Sequence, residues 1–264
     1  MAEPTDPAPA PRTVTYAETG PARGQLLDVH TPPTTAPCRA GVLLWHGIGP
    51  DERRVLAPLA RATAALGVTV FVPDWRPDGP DGGRSHLLAS LAFVRDHAAG
   101  FGVSSDRIVL AGWSAGAGAA AGVALRPGVL PRWHPHAVVA VAGDYTRLAR
   151  TTGAAPLEEP AVPGLPQVPV TLVHGAHDTQ VDSRHSRRLQ AALQRRNWPV
   201  RLTEPVTDHA GVIMCAYDPA AGRCVPATDA HALRAGAATA RLLAGAATGG
   251  PPEHPADGST DRPR

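Results

Sequence analysis

Short apolar runs alternate along the chain with longer segments in which apolar residues recur at helical spacing. The runs at residues 41–45 and 137–142 are apolar almost throughout, which is typical of strands covered by helices on both faces. Between residues 84 and 97, leucine and valine recur every three or four positions, which predicts an amphipathic helix. This alternation predicts an α/β fold with a mostly parallel sheet of about eight strands, flanked by helices on both faces. The other strands are predicted at residues 13–16, 25–30, 68–72, 108–111, 170–173 and 200–204, the first two as an antiparallel edge and the last as the final strand of the chain.

Local signals set the ends of the other predicted helices. A helix after residue 50 ends near Leu66, with Gly67 as its stop, and Pro58 predicts either a kink or a late start. Residues 183–196 are amphipathic. Asp229 is placed to cap a closing helix that reaches about Leu243.

The two ends of the chain differ in composition from its middle. Residues 1–12 and 248–264 are rich in Pro, Gly and polar residues, so we expect disordered tails around one domain at residues 13–247. Within that domain, residues 145–169 form a Pro- and Gly-rich loop (the long loop), and loops of this length are usually functional or mobile.

Composition limits the classes of partner. The chain has 264 residues, of which 43% are hydrophobic and 18% charged, as in soluble globular proteins. A formal net charge of +2 is too small to indicate nucleic-acid binding. Neither a secretory signal nor a membrane-spanning run is recognisable, so we expect a cytoplasmic protein without a membrane partner. Cys38, Cys215 and Cys224 are scattered, which predicts thiols, with a Cys215–Cys224 bridge as the alternative.

The most informative motif is G-W-S-A-G at residues 112–116, between a predicted strand and an Ala/Gly-rich helix. It has the form of a nucleophile elbow, in which a strained serine, here Ser114, is exposed at the end of a strand. Gly112 and Gly116 flank the serine where strand and helix pass closest, and a Cβ there would collide. The N–H of Ala115 begins the helix and could stabilise an oxyanion.

Two further residues complete a candidate catalytic triad. Asp178 and His209 also follow predicted strands, and loops at the carboxyl ends of parallel strands converge on one crevice. Imidazole can take the proton of a serine, and a carboxylate fixes the imidazole tautomer. Asp144 and Asp182 are alternatives for the acid, since Asp144 also follows a strand, although Asp182 could instead begin the next helix.

With these residues, the chain from about residue 25 to residue 243 resembles α/β-hydrolase-fold esterases. It is most similar to compact carboxylesterases related to the hormone-sensitive-lipase and feruloyl-esterase-like groups. The resemblance implies ester hydrolysis by Ser114, His209 and Asp178, without a cofactor. It is carried by L-L-D-V-H-T-P (26–32), W-H-G-I-G (45–49), D-W-R (74–76), G-W-S-A-G (112–116), H-G-A-H-D (174–178) and D-H-A-G (208–211).

The resemblance also implies an oxyanion loop at residues 46–49. The N–H of Gly47 or of Ile48 would join that of Ala115 as donor, and His46 would brace the loop. The chain departs from the family at Ile48, where H-G-G-G is usual, and at Ala117, where relatives often have glycine. Neither change removes a catalytic atom, but both bear on subfamily and substrate preference.

Several other residues could line the substrate pocket or serve another role. Trp45 and Trp113 lie beside the oxyanion loop and the serine, and either could line a pocket or pack in the core. His174 and His177 stand close to Asp178, but the triad explains Asp178 better than a metal site does, so we predict no metal. Further candidates for the pocket walls are Tyr145, Met214 and Tyr217.

These observations predict a serine hydrolase that acts on small, short-acyl or aryl esters. The chain is short for this fold with a large lid, so we expect no lid beyond the long loop. The alternatives are an amidase, peptidase or arylformamidase-like enzyme, an acyltransferase, and a catalytically silent binding protein on the same fold. We expect a monomer or homodimer whose partner is a small-molecule ester.

Overall fold

The computed structural model describes residues 10–18, 24–33, 39–49, 52–126, 128–129, 133–159, 162, 164 and 166–249. Its centre is an eight-stranded sheet in the order β1-β2-β4-β3-β5-β6-β7-β8. Only β2 runs against the other strands, because it pairs antiparallel with both β1 and β4. The predicted, mostly parallel sheet with an antiparallel edge is therefore confirmed. The strands are β1 (Arg12–Ala17), β2 (Gln25–His30), β3 (Gly41–Trp45), β4 (Thr69–Pro73), β5 (Ile108–Trp113), β6 (Ala137–Val141), β7 (Val170–Val173) and β8 (Val200–Thr203).

Within the described parts of the chain, five α-helices cover the two faces of the sheet in two layers. The hydrophobic cluster on one face includes side chains of α2, α3 and α4. The cluster on the other face includes α1 and α5, which also pack against each other. The continuous apolar strands are buried because both of their faces are covered. The helices are α1 (Ala57–Ala64), α2 (Arg84–His97), α3 (Ala115–Leu125), α4 (Arg184–Gln194) and α5 (Ala230–Thr248).

Helix ends follow the predicted local signals. A 3-10 turn at Glu52–Leu56 precedes α1, and Pro58 lies in the first turn of the helix, so the late start is correct and the kink is not. A proline is accommodated there because the first amides of a helix have no partner within it. The Asp229 carboxylate accepts from the amide of Ala232 at 2.8 Å and caps α5, which extends to Thr248 rather than Leu243.

Two expectations about the order of elements need correction. The strand at residues 200–204 is not the last, because β9 (Cys215–Asp218) and β10 (Arg223–Pro226) follow it as a separate antiparallel hairpin. The first strand begins at Arg12, inside the expected N-terminal tail. Helix α5 likewise ends at Thr248, inside the expected C-terminal tail, and residues 1–9 and 250–264 of the two tails lie outside the described residues.

Two smaller expectations concern the cysteines and the membrane. Cys215 and Cys224 are both thiols rather than halves of a disulfide, and Cys38 lies outside the described residues. Cys215 is buried, and burial raises the pKa of its thiol to about 12. Within the described parts of the chain, no helix is both long enough and apolar enough to cross a bilayer.

Candidate active site

The turn between β5 and α3 holds Ser114 in a strained conformation. Its φ of 56° is positive, which is uncommon for a residue with a side chain. The backbone passes so close to itself on both sides of the serine that only glycine fits there. A Cβ on Gly112 would lie 2.1 Å from the carbonyl oxygen of Gly116. A Cβ on Gly116 would lie 2.4 Å from the carbonyl oxygen of Trp45. Such strain persists only where the surroundings enforce it, and it is concentrated at functional sites.

The helix after the serine is almost entirely buried. Every residue from Gly116 to Leu125 is buried, and nine of these ten are glycine, alanine or valine. Small side chains let α3 lie close to the sheet, so the helix has no polar face. The first residue of this helix is Ala115, directly after Ser114.

His209 and Asp178 lie on two loops that touch each other. A Cβ on Gly175 would lie 2.5 Å from the carbonyl oxygen of Thr207, so only glycine permits this approach. The Asp208 carboxylate accepts from the amides of Ala210 and Gly211 and fixes the turn that carries His209. As a result, Nδ1 of His209 lies 2.6 Å from Oδ2 of Asp178. The sequence prediction that these two residues meet is therefore correct in geometry.

The carboxylate of Asp178 is fully enclosed and bound on both oxygens. Its Oδ1 accepts from the amides of Gln180 and Val181 at 2.9 Å each. Its Oδ2 lies 3.2 Å from Nε2 of His174, in addition to its bond with His209. Burial raises the pKa of the Asp178 carboxyl, but the hydrogen bonds from His174 and His209 outweigh it and hold the pKa well below its usual range. Asp178 is therefore ionised at neutral pH.

The two alternative acids bind elsewhere. The Asp144 carboxylate accepts from Thr146, contacts the Arg147 guanidinium at 3.0 Å and lies 3.1 Å from the His185 ring. The Asp182 carboxylate accepts from the amide of Arg184 at the start of α4. Neither is hydrogen-bonded to His209, whose ring is in contact with Asp178 instead.

Trp113 contacts His209 and does not lie on the cleft lining. Its indole Nε1–H donates to the carbonyl oxygen of His209 at 2.9 Å, and the two rings lie with their centres 5.0 Å apart. Only 4% of Trp113 is exposed. Trp113 therefore holds the backbone and the ring of His209 in place.

His46 braces the loop that follows β3. The amide of Trp75 donates to Nε2 of His46 at 3.2 Å, so Nδ1 carries the proton and donates to the carbonyl oxygen of Gly47 at 3.1 Å. In a trans peptide the N–H of the next residue points the opposite way from the carbonyl. The N–H of Ile48 is therefore directed away from the His46 ring.

A large cleft of about 1210 Å³ contains Ser114, Ala115 and His209. Two apolar side chains on its lining are strongly exposed, Ile48 at 58% and Leu148 at 67%. Leu148 belongs to the long loop, which supplies a substantial part of the lining. The loop residues in contact with the cleft are Thr146, Arg147, Leu148, Ala149, Arg150 and Gly153.

The other residues suggested for the pocket walls do not lie on the cleft lining. Trp45 and Tyr145 are completely buried in the core, and the indole of Trp45 donates to Ser90 at 3.0 Å, so neither can touch a substrate. Met214 packs against Gly236 of α5 instead of the cleft. Tyr217 is half-exposed on β9, also away from the cleft lining.

Apart from Asp144 and Asp182, which were considered as alternative acids, the charged side chains on the cleft lining were not predicted from the sequence. Four arginines and three aspartates line it, from the turn before α2, the long loop and the start of α4. No motif surrounds them, and only the tertiary arrangement brings them together. They are Arg84, Arg147, Arg150, Arg184, Asp81, Asp144 and Asp182.

The two histidines near Asp178 differ in their surroundings. His174 is buried, with Nδ1 2.7 Å from the Ser186 hydroxyl and Nε2 2.8 Å from the carbonyl oxygen of Val181. His177 is exposed. Among the residues that the structure describes, no three His, Cys, Asp or Glu side chains gather as a metal site.

Comparison with solved structures finds the same architecture in an esterase of the planctomycete Thermogutta terrifontis. Its propionate-bound esterase 2 is 18% identical, with 90% of this chain and 93% of that chain covered at a TM-score of 0.67. The same esterase phosphorylated by paraoxon is 19% identical, with 76% and 84% covered at a TM-score of 0.61. No protein-family model matches the chain, and none of the curated proteins compared with it is similar in sequence. The chain has the α/β-hydrolase fold.

Proposed function

We propose that the protein is a serine hydrolase that cleaves small carboxylic esters through Ser114, His209 and Asp178. The observation that carries the proposal is the 2.6 Å contact between His209 and Asp178, at the cleft that also contains the strained Ser114. A hydrolase of this kind needs a nucleophile, a base and a group that orients the base. All three residue types are present in the chain order Ser, Asp, His that α/β-hydrolases use.

In the proposed reaction, Ser114 attacks the ester carbonyl while Nε2 of His209 takes the hydroxyl proton. Asp178 accepts from Nδ1 of His209, which fixes the tautomer and stabilises the imidazolium. His209 then donates its proton to the leaving alcohol, and an acyl-enzyme remains on Ser114. A water molecule, deprotonated by His209, then attacks the carbonyl carbon of the acyl-enzyme. The bond to Ser114 breaks, His209 returns the proton to the serine oxygen, and the carboxylic acid leaves.

The negative charge on the carbonyl oxygen needs hydrogen-bond donors that are already in place. The amide of Ala115 at the start of α3 is one proposed donor. For the second we propose Ile48 rather than Gly47, because His46 binds the Gly47 carbonyl and thereby turns the Ile48 N–H away from its ring. The exposed Ile48 side chain supports this assignment, since it lies on the lining of the cleft in which we propose that the substrate binds.

The preference for short acyl groups has support from the cleft and from the similar esterase. The apolar surface presented to the cleft is modest, with Ile48 and Leu148 as its large exposed members. The Thermogutta terrifontis esterase has been seen with propionate and with butyrate bound. It is also phosphorylated by paraoxon and phosphonylated by sarin. By analogy we propose a reactive serine and short-acyl or aryl esters for this chain.

Hydrolysis of 4-nitrophenyl acetate, butyrate and a long-chain ester tests the proposal. We expect turnover of acetate and butyrate, slower turnover of the long-chain ester, and loss of activity in Ser114→Ala. Ser104→Ala is the matched control, because Ser104 is not on the cleft lining and hydrogen-bonds to Asp106. Full activity in Ser114→Ala, or a preference for the long-chain ester, would contradict the proposal.

The alternatives differ in the bond cleaved or in whether chemistry occurs. An amidase or arylformamidase-like enzyme would cleave a matched anilide at a rate comparable to the ester. An acyltransferase would form a new ester in the presence of an added alcohol. A silent binding protein would cleave none of these substrates while still binding ester analogues.

A further inference from the structure

The cleft beside Ser114 carries more positive than negative side chains. Four arginines line it against three aspartates, a formal excess of one positive charge. Two of the four arginines form ion pairs with aspartates of the lining. Arg147 pairs with Asp144 at 3.0 Å, and Arg184 pairs with Asp182 at 3.3 Å.

The third aspartate, Asp81, is hydrogen-bonded to backbone amides of the turn in which it lies. Asp81 accepts from the amide of Gly83 at 3.0 Å and from the amide of Ser85 at 2.7 Å. These bonds lower the pKa of the Asp81 carboxyl, with the amide of Ser85 as the largest cause. The carboxylate therefore stabilises the start of α2, and among the described residues no ion pair joins it to an arginine of the cleft.

Arg84 and Arg150, the arginine pair, consequently have no carboxylate partner within the described residues. Arg150 is half-buried, and a Cβ on Gly82 would lie 2.5 Å from its Nη1, so its guanidinium lies against the turn before α2. Arg84 is the first residue of that helix. The fold thus brings a guanidinium from the long loop to the turn that also carries Arg84.

We propose that the substrate ester carries a carboxylate, distant from the scissile bond, which Arg84 and Arg150 bind. A guanidinium presents its N–H groups in a planar fork that matches a carboxylate, and it remains charged at any pH in use. Two guanidiniums that line one cleft without carboxylate partners among the described residues attract an anion to it. This inference rests on the proposed function, because it places the scissile ester at Ser114.

Two pairs of substrates that differ only in charge test the inference. The first is 4-carboxyphenyl butyrate against 4-carbamoylphenyl butyrate, with the charge on the alcohol part. The second is the mono-4-nitrophenyl ester of adipic acid against that of adipamic acid, with the charge on the acyl part. For each pair, the ratio of kcat/KM for the anionic ester to that for the neutral ester is compared between the wild type and variants.

For at least one pair we expect Arg84→Gln with Arg150→Gln to lower this ratio roughly tenfold, mainly through a higher KM for the anion. Either single substitution should lower it roughly threefold. Salt at about 1 M should reduce the wild-type ratio as well, because it screens charges at exposed sites. Thermal melts of each variant confirm that the fold is retained.

Arg184→Gln is the matched control, since Arg184 lines the same cleft but is paired with Asp182. We expect it to change the ratio much less than either Arg84→Gln or Arg150→Gln. An equal fall in the control would show a general charge effect and overturn the assignment to the arginine pair. An unchanged ratio in the double variant for both substrate pairs would overturn it too.

Failure of the inference is distinguishable from failure of the proposed function. If the wild type hydrolyses the neutral esters but its ratios do not depend on the arginine pair, the inference is wrong and the hydrolase proposal stands. If the wild type hydrolyses no ester, the hydrolase proposal is wrong. Calorimetric titration of Ser114→Ala with 4-carboxyphenyl butyrate then decides the inference: tighter binding than 4-carbamoylphenyl butyrate, lost on substitution of the arginine pair, supports it, and equal binding overturns it.

Discussion

Two parts of the candidate active site are built in different ways. One is the reacting centre, which consists of Ser114, Asp178 and His209, and the other is the rim of the cleft, which includes Arg84 and Leu148. Ser114, Asp178 and His209 are held by backbone constraints: a positive φ, glycines where chains pass within contact, and turns closed by amides. Arg84 and Leu148 on the rim are exposed side chains. The first kind of construction leaves little freedom for substitution, whereas the second tolerates exchange of one side chain for another.

This difference separates chemistry from selectivity. A change at the reacting centre should lower the rate for every ester, because all of them share the same bond-making steps. A change at the rim should alter the ratio of kcat/KM between two esters and leave the shared bond-making steps intact. The predictions below test this separation, from the largest expected effect to the smallest.

His209→Gln should have the largest effect, because it removes the proposed base for both halves of the reaction. We expect kcat to fall by roughly 10⁴ to 10⁶ for every ester, as for histidine knockouts in other triad enzymes. Steady-state rates with acetate and butyrate esters measure it. His177→Gln is the control, since His177 is exposed and is not on the cleft lining. Comparable rates in the two variants would remove His209 from the mechanism.

Asp178→Asn should lower kcat by up to roughly 10⁴, because the amide no longer enforces the required tautomer of His209. Asp144→Asn provides the comparison, since Asp144 was the alternative acid but is bound to Thr146 and Arg147. We expect a far smaller loss there. A greater loss in Asp144→Asn than in Asp178→Asn would exchange their roles.

The same carboxyl should affect stability in a pH-dependent way. The pKa of Asp178 is lowered in the folded protein, although its burial by itself raises it. Its contribution is therefore fully present above the unfolded value of about 3.9 and is lost as pH falls below it. Urea unfolding should show Asp178→Asn less stable than wild type by about 1–3 kcal/mol at pH 7. The difference should shrink below about pH 4, and a difference that grows with acid would contradict the assigned shift.

Leu148→Ala should have the smallest effect, and one that differs between substrates. Loss of apolar surface on the cleft should lower the butyrate-to-acetate ratio of kcat/KM by roughly two- to fivefold. Leu66→Ala is the matched control, because Leu66 is exposed at 47% and is not on the cleft lining. If Leu148→Ala slows acetate and butyrate equally, the side chain does not contact the acyl group.

The sequence predicted the sheet and the meeting of Asp178 with His209 because both depend on local signals. Continuous apolar runs indicate buried strands, and parallel strands bring their carboxyl ends together. The hairpin of β9 and β10 was missed because its strands are four residues long and half-exposed, without an apolar alternation. Short, partly polar strands resemble loops in sequence.

The pocket lining was not predictable in the same way. Trp45 stands beside the oxyanion loop in sequence, yet its indole is satisfied by Ser90 inside the core. An aromatic residue with a polar atom fits either environment, so sequence alone does not decide between them. Arg84 and Arg150 lie 66 positions apart, and only the conformation of the long loop brings them to one turn.

The most direct test of the central claim is intact-protein mass spectrometry after treatment with a fluorophosphonate, on wild type and on Ser114→Ala. An activated serine attacks the phosphorus, releases fluoride and retains the phosphonyl group. We predict one adduct on the wild type, mapped to the peptide that contains Ser114, and none on Ser114→Ala. An unmodified wild type that is folded, or an adduct that persists in Ser114→Ala, would contradict the account.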